Sequence, residues 1–235
     1  MPLLHLIAWN CHHGSVHARL AELAAFAPAI VFLQECQPGA QFTQSASCVA
    51  GRVNARKGIA LASLDADYQI APIRRRPNRG RALVAATVTG PISFTALGIW
   101  GQGPRYADDV MRTLDAYRRV LRSGPAVVLG DLNSGSNLTK QQPSKGHARI
   151  LAALEDCGLV SAYHAFHDVP HGHEAHPTYR HQRNVAKPWH IDFCFVPAAW
   201  AEHLRSVEVM DGEEWTKKSD HLPLKVEIRF GDERK

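Results

Sequence analysis

Two apolar segments of this sequence end in carboxylates that could bind a metal ion or activate water. Glu35 follows Ala29-Ile-Val-Phe-Leu33, and Asp131 follows Ala126-Val-Val-Leu-Gly130. Each segment has the composition of a short buried strand, and a carboxylate there is costly to bury unless it is paired or binds a metal. Asn133 comes two residues after Asp131, and alternation along an extended chain points both side chains the same way. A strand followed by an ordinary Asp/Asn turn is the simpler interpretation of the second segment taken alone.

Three further positions carry side chains of the same kind. Asn10 follows the apolar segment 3–9, and Asp192 lies inside the hydrophobic stretch 189–196. An acidic residue within a strand is usually partnered, often by a histidine that it orients. His221 lies directly ahead of the last predicted strand and is the natural partner of Asp192. For Asn10 alone, a turn residue that satisfies backbone groups is the simpler interpretation.

Strands and helices must bring these side chains together. Apolar periodicity and turn residues predict strands at 3–9, 29–33, 58–63, 68–71, 82–89, 92–100, 126–130, 189–196 and 224–230. The same criteria predict helices at 16–26, 106–121 and 147–157. Tyr106 begins the second helix, where its side chain can face the same strand ends as Asp131. Because ligands bind outside the carboxyl ends of strands in open α/β sheets, we expect one pocket at these ends.

The composition is that of a globular protein with a basic excess. The 235 residues are 45% hydrophobic, which is enough apolar material for one domain spanning 1–235. Lys and Arg exceed Asp and Glu by 27 to 22, a weak preference for a polyanionic partner. The five cysteines contain no Cys-x-x-Cys, and the opening segment lacks the features of a secretion signal. The longest apolar region, 20–33, is interrupted by Glu22 and Pro28, so we expect a cytoplasmic protein without a membrane span.

An arginine cluster lies between the predicted strands 68–71 and 82–89. Five of the eight residues from 74 to 81 are arginines. One interpretation is a solvated loop that keeps the protein soluble. The other is a phosphate-contacting rim formed by Arg74, Arg75 and Arg76, because the guanidinium fork matches phosphate oxygens.

The segment 163–190 holds seven of the fourteen histidines. Histidine-rich tracts can bind zinc. However, no cysteine accompanies these histidines, and spacings such as His171-x-His173 fit no closed four-ligand pattern. We therefore predict a long polar loop at the rim of the pocket, with Trp189 and His190 contacting substrate.

Taken in order, these groups resemble the motifs of the endonuclease/exonuclease/phosphatase superfamily, the fold of exonuclease III, apurinic endonucleases and deoxyribonuclease I. The motifs that carry the resemblance are Asn10, Gln34-Glu35, Gly130-Asp-Leu-Asn133, His190-Ile-Asp192 and Ser219-Asp-His221. They run in register from residue 3 to about residue 228. The resemblance implies an α/β (α+β) fold: a four-layer sandwich of two packed, mainly antiparallel sheets flanked by helices, with the site at one end.

The resemblance also implies a metal ion. Glu35 would be the principal ligand of Mg²⁺ or Mn²⁺, with Asn10 beside it and Asp220 nearby. Oxygen-only ligation suits these hard cations. Apurinic endonucleases carry an aspartate where this chain has His12, so a second metal contact at that position is not implied.

The remaining residues have implied roles in catalysis. His221, oriented by Asp192, would bind the scissile phosphate and assist proton transfer or charge stabilisation. Asp131 would position or deprotonate the attacking water, with Asn133 donating a hydrogen bond to a phosphate oxygen. Tyr106 has the position of a tyrosine that contacts phosphate in the exonuclease III branch. Whether Asp131 or His221 is the base stays open.

Three functions compete. The first is a monomeric, metal-dependent nuclease that acts on DNA rather than RNA. The second is a hydrolase of a smaller phosphoester, such as an inositol phosphate, a lipid headgroup or a nucleotide. The absence of a histidine from 93–100, where sphingomyelinases and deoxyribonuclease I carry one, favours the first. A binding module without catalysis is disfavoured because every core residue of the superfamily is present.

Overall fold

The computed structural model describes residues 2–37, 47–73, 82–138 and 144–231. Arg74, Arg75 and Arg76 therefore lie outside the described residues. The strands are β1 Leu3–Asn10, β2 Ala29–Cys36, β3 Cys48–Arg52, β4 Gly58–Ser63, β5 Gln69–Pro72, β6 Leu83–Thr89, β7 Phe94–Ile99, β8 Ala126–Asp131, β9 Leu159–Ser161, β10 Tyr179–Arg180, β11 Pro188–Trp189, β12 Asp192–Pro197, β13 Leu204–Val209 and β14 Leu224–Arg229. The α-helices are α1 Val16–Leu23, α2 Tyr106–Leu121, α3 Ser144–Glu155, α4 Ala162–His167 and α5 Glu213–Thr216.

Most strands belong to two six-stranded sheets. The first has the order β13-β14-β1-β2-β4-β3 and the second β5-β6-β7-β8-β12-β9. Each sheet contains one parallel pair, β1–β2 in the first and β7–β8 in the second, and its other pairs are antiparallel. The predicted pair of mainly antiparallel sheets flanked by helices is confirmed.

Alternation along the central strands builds the layers. On β1, Leu4, Leu6 and Ala8 belong to the core between the sheets, whereas Ile7 and Trp9 pack in a separate cluster on the outer face. This separation is what a period of two dictates when both faces of a strand are buried. Helix α1 covers the outer face of the first sheet through Leu23, Leu20 and Val16.

Helix α2 covers the outer face of the second sheet. Its residues Val110, Leu114, Tyr117 and Leu121 are buried against the sheet, as their helical spacing predicts. The first turn carries acidic residues and the last turn basic ones, which complements the helix dipole. None of the helices in the described ranges has the length and apolar content needed to cross a bilayer.

The structure departs from the predicted elements near the site. The strand predicted over 189–196 is divided, because β11 ends at Trp189 and β12 begins at Asp192. The backbone N–H groups of Ile191 and Asp192 both donate to the hydroxyl of Thr178 and therefore not to a neighbouring strand. The helix predicted over 16–26 is α-helical only to Leu23, and a 3-10 turn follows.

Candidate active site

Three polar side chains meet between the two sheets at one end of the sandwich. Asn10 continues the inward-facing row of β1, and Asp131 and Asp192 continue the corresponding rows of β8 and β12. Asp131 and Asp192 are direct partners in the antiparallel ladder of these two strands. The Nδ2 of Asn10 donates to Asp131 Oδ2 at 3.0 Å, so the first sheet contacts the second here through polar groups. Strand alternation therefore assembles this part of the site.

Asp131 is held by three N–H donors. Its Oδ1 accepts from the backbone N–H of Asn133 at 2.8 Å, and its Oδ2 accepts from Asn133 Nδ2 at 3.1 Å as well as from Asn10. The two side chains do point the same way, but Asn133 lies beyond the end of β8 with a φ of 48°, so a turn and not strand alternation brings it to Asp131. Burial raises the pKa of Asp131 above the ordinary value, although the nearby charge of His221 opposes this shift. A carboxylate fixed in this way can orient a water molecule or take its proton.

Glycine is required at the residue before Asp131. Gly130 has a φ of 131°, and a Cβ there would lie 2.2 Å from the carbonyl oxygen of Ile99 and 2.8 Å from the ring of Phe32. Strand β8 continues through this glycine to Asp131 rather than ending at it. The close approach of β8 to its neighbours therefore fixes the position of the carboxylate.

His221 is paired with Asp192 in the buried interior of the site. Its Nδ1 lies 2.9 Å from Asp192 Oδ2, and its Nε2 lies 3.9 Å from Asp131 Oδ2. Burial alone would lower the pKa of His221, but the carboxylates of Asp192 and Asp131 raise it. The imidazole is therefore held in one orientation and in its charged form, which suits contact with a phosphate oxygen.

The backbone around His221 is fixed by the end of β1. Ser219 Oγ accepts from the backbone N–H of His221 at 3.0 Å and donates to the carbonyl of Asn10 at 2.7 Å. Trp9 Nε1 donates to the carbonyl of His221 at 3.2 Å. The ring of Tyr179 packs on the imidazole with 4.4 Å between centroids. These contacts place the segment before β14 against the residues that end β1.

Glu35 reaches the site through a β-bulge. The register between β2 and β4 shifts between Gln34 and Cys36, and Glu35 has a φ of 60°. By simple alternation its side chain would join Val31 and Leu33 on the helix-covered face. The extra residue in a bulge re-aims the side chain, and a non-glycine residue in this conformation is uncommon away from functional sites.

The carboxylates of Glu35 and Asp220 both lie close to the imidazole of His12. His12 Nδ1 lies 3.7 Å from Glu35 Oε2 and 3.8 Å from Asp220 Oδ1. The ammonium of Lys57 contacts the same oxygen of Glu35. The Oδ1 of Asn10 accepts from the His12 N–H, so oxygen donors of Glu35, Asp220 and Asn10 all border His12, and donors of this type suit a hard divalent ion.

Two neighbours of this site were not predicted. Lys57 lies directly before β4, and its position opposite the end of β2 depends on a strand pairing that the sequence does not specify. Thr178 is fully buried and connects the start of β12 with Leu222, whose N–H donates to its carbonyl. Burial and the charges of Asp220, Asp131 and Glu35 raise the pKa of Tyr179 to about 12.

The remaining predicted residues lie at different distances from this group. Tyr106 begins α2, is partly exposed and is close enough to Tyr179 to affect its pKa. Trp189 pairs with Tyr179 in the short β10–β11 ribbon. His190 is not brought to the site: it is buried, its Nδ1 is bonded to the carbonyl of His176 at 2.8 Å, and its ring packs on Phe193.

A four-layer sandwich with hydrogen-bonded carboxylates and a buried Asp–His pair at one end is the architecture of a class of phosphoester hydrolases. Residues 7–221 match the sequence profile of the Endonuclease/Exonuclease/phosphatase family, and the chain belongs to this family. Its members hydrolyse phosphate esters, so the chain is a hydrolase. None of the curated proteins matches the sequence significantly.

Solved structures share the fold at low sequence identity. The 3′ phosphatase NExo from Neisseria, bound to a product DNA hairpin, is 21% identical, with a TM-score of 0.68 over 96% of this chain and 99% of that one. An AP endonuclease from Archaeoglobus fulgidus is 20% identical, with a TM-score of 0.68 over 95% and 98%. The AP endonuclease LMAP from Leishmania major is 13% identical, with a TM-score of 0.71 over 97% and 88%.

Proposed function

We propose that this protein is a divalent-metal-dependent nuclease that hydrolyses phosphodiester bonds of DNA. The observation that carries the proposal is the convergence of the buried Asp192–His221 pair with Asp131 at one end of the sandwich. Phosphodiester hydrolysis needs an oriented water on one side of the phosphorus and a cationic group for the phosphate oxygens. Asp131 and His221 are suited to these two tasks.

Glu35, Asn10 and Asp220 are the residues that would hold Mg²⁺ or Mn²⁺. The bound ion would neutralise phosphate charge and polarise the phosphorus–oxygen bonds. Lys57 and His12 both contact the carboxylate of Glu35, so they would compete with the ion for this ligand. Once the ion binds Glu35, either side chain could contact the phosphate instead.

The chain's own residues perform the other parts of the reaction. Three N–H donors hold both oxygens of Asp131, leaving lone pairs for a water molecule. His221, charged because of Asp192, donates from Nε2 to a phosphate or leaving-group oxygen. Tyr106, at the start of α2, can donate its hydroxyl to another phosphate oxygen. Asn133, which was expected to donate to the phosphate, instead uses its side-chain amide on Asp131 and the carbonyl of Gly101.

A basic groove beside the site favours a polynucleotide over a small phosphoester. It borders Asp220 and is lined by Arg180, Arg183 and Lys217, together with Val185 and Thr216. Cationic side chains beside the reacting phosphate are what a phosphate backbone requires, although Arg180 and Lys217 are also paired with Asp211 and Glu213. The DNA hairpin bound by the Neisseria phosphatase of the same fold also supports this substrate class.

A substrate panel tests the proposal. The panel contains plasmid, single-stranded, nicked and abasic DNA, RNA and bis-p-nitrophenyl phosphate, together with an inositol phosphate, a phospholipid and a nucleotide. Each is incubated with the protein in Mg²⁺, Mn²⁺ or EDTA, with His221→Ala as the control for a contaminating nuclease. We expect metal-dependent cleavage of DNA that EDTA and His221→Ala abolish. Hydrolysis of an inositol phosphate, a lipid headgroup or a nucleotide without cleavage of any polynucleotide would replace the proposal with a small-phosphoester hydrolase.

A further inference from the structure

A second polar cluster is buried on the outer side of the second sheet. It contains four imidazoles and a carboxylate that come from α3, α4, the following loop and the residues before β12: His147, His164, His171, Glu174 and His190. All four imidazoles lie within 6.4 Å of the ring of Phe193, measured between centroids. The side chains of His164 and Glu174 are only 8% and 4% exposed. His164, His171 and His190 therefore turn into the protein instead of lining the pocket, whereas Tyr179, Arg180 and Arg183 of the same segment do border the site.

Three of the imidazoles are oriented by an oxygen on their Nδ1 side. His147 Nδ1 lies 3.1 Å from Ser134 Oγ, His164 Nδ1 lies 2.7 Å from Ser161 Oγ, and His190 Nδ1 bonds to the carbonyl of His176. Metal-binding histidines almost always have such a partner on the ring nitrogen that does not ligate.

Three of the other ring nitrogens in the cluster lack the hydrogen-bond partners that buried polar atoms normally have. His147 Nε2, His190 Nε2 and His171 Nδ1 are buried and have no hydrogen-bond partner among the described residues. His164 Nε2 lies 3.0 Å from Glu174 Oε1. Each buried polar atom without a partner requires an explanation, and three of them in one cluster require a shared one.

Three donor atoms are close enough for one ion to bridge them once the stacked rings of His164 and His171, 3.5 Å apart between centroids, turn relative to each other. One ligand atom from each of His164, His171 and Glu174 lies within 4.8 Å of the other two. His147 and His190 lie beside these three residues, with ring centroids 5.9 Å from that of His171 and 6.2 Å from that of His164, respectively, so they would have to move closer to bind the same ion.

We propose that His164, His171 and Glu174 bind a transition-metal ion of the zinc type, with His147 and His190 supplying the further nitrogen ligands. Imidazole-rich sites suit zinc, whereas magnesium and manganese prefer oxygen donors such as Glu35. The site is thus distinct in chemistry and position from the catalytic one. It is connected to that site through the chain, because Ser134 follows Asn133 and His190 lies two residues before Asp192.

Cobalt substitution and metal analysis test the proposal. Protein purified without chelator is expected to contain about one equivalent of zinc-type metal, and the apoprotein to bind one Co²⁺ with visible absorption bands of low coordination number. His171→Ala and Glu174→Gln should each weaken Zn²⁺ binding by more than tenfold. His173→Ala, on the same loop but exposed, is the matched control and should bind normally. Ser161→Ala should weaken binding by about 10- to 100-fold by releasing His164.

The wild-type titration decides the question even where a variant does not fold. Folded wild-type protein that contains no zinc-type metal and gives no Co²⁺ spectrum at stoichiometric addition would overturn the proposal. So would metal that is retained by His171→Ala and Glu174→Gln but lost from Glu35→Gln, because that pattern places the ion at the catalytic site. Thermal unfolding with and without Zn²⁺ provides an independent readout: the melting temperature should rise in the wild type and in His173→Ala, but not in His171→Ala.

Discussion

Asp192 holds His221 through a 2.9 Å contact between a carboxylate oxygen and Nδ1, and the two side chains are 0% and 7% exposed. The contact turns Nε2 toward Asp131 at one end of the sandwich. It also changes the charge of the ring, because burial alone would lower the pKa of His221, whereas Asp192 and Asp131 together raise it to about 9. One residue pair thus fixes both the direction and the protonation of the group assigned to the phosphate.

Replacing Asp192 should remove both effects. In Asp192→Asn we expect the pKa of His221, followed by NMR of the ring protons, to fall from about 9 toward the ordinary 6.5. Turnover should fall by about 10²- to 10⁴-fold, the usual range for a group in acid–base catalysis. Asp156→Asn, at an exposed carboxylate, is the control and should leave both unchanged. An unaltered pKa of His221 would contradict the pairing as the source of its charge.

The same pair predicts how stability depends on pH. The folded-state pKa of His221 is raised, so its contribution is complete below pH 6.5 and is lost as the pH rises through about 9. The free energy of unfolding of the wild type should therefore decrease across this window more than that of Asp192→Asn. Urea titrations of both proteins at several pH values measure the difference, and parallel pH profiles would show that Asp192 does not stabilise the charged imidazole.

Much of the site could be predicted because strand alternation is a local property. The inward direction of Asp131 and Asp192 and the buried stripe of α2 follow from spacings of two and of three to four residues. The orientation of Glu35 could not be predicted, because it depends on a bulge relative to β4. The contact between Lys57 and Glu35 could not be predicted either, because it depends on the pairing of β4 with β2.

The histidine cluster was misinterpreted for a related reason. Its donors come from four separate elements, so their spacing in sequence resembles no compact metal motif. The division of the strand before Asp192 likewise depends on the hydroxyl of Thr178, fourteen residues earlier in the chain. Tertiary contacts of this kind leave no periodic signal in the sequence.

Activation of the enzyme by a divalent metal ion should require the carboxylate of Glu35. In Glu35→Gln the neutral amide retains the shape of the side chain but loses the charge that faces His12 and Lys57. We expect the Mg²⁺ concentration for half-maximal activity to rise by at least about tenfold, with the urea midpoint nearly unchanged. Glu202→Gln, at an exposed position, is the control. Full activity of Glu35→Gln at low Mg²⁺ would remove Glu35 from the metal site.

Gly130 should tolerate no side chain. In Gly130→Ala the new Cβ would meet the carbonyl of Ile99 and the ring of Phe32, at a φ that L residues rarely adopt. We expect a loss of at least about 2 kcal/mol in the free energy of unfolding, typical of overpacking combined with backbone strain. Gly124→Ala, where no atom lies within 4 Å of the added Cβ, should change the stability by far less. Similar urea midpoints for the two variants would show that β8 can move away from its neighbours.

Salt dependence separates a polynucleotide substrate from a small one. Each phosphate contact to a cationic side chain releases counterions, so binding to DNA should weaken steeply as salt rises. Ca²⁺, chosen to support binding without cleavage, allows the dissociation constant to be measured across several salt concentrations. Arg183→Ala, in the groove beside Asp220, should weaken binding and reduce the slope against log salt by about one unit.

The triple variant of Arg74, Arg75 and Arg76 to Ala should reduce the slope by about one unit per lost contact, with little change in turnover at saturating substrate. Slopes parallel to that of the wild type in the triple variant would assign these arginines to a solvated loop. Parallel slopes in Arg183→Ala as well would favour hydrolysis of a smaller phosphoester.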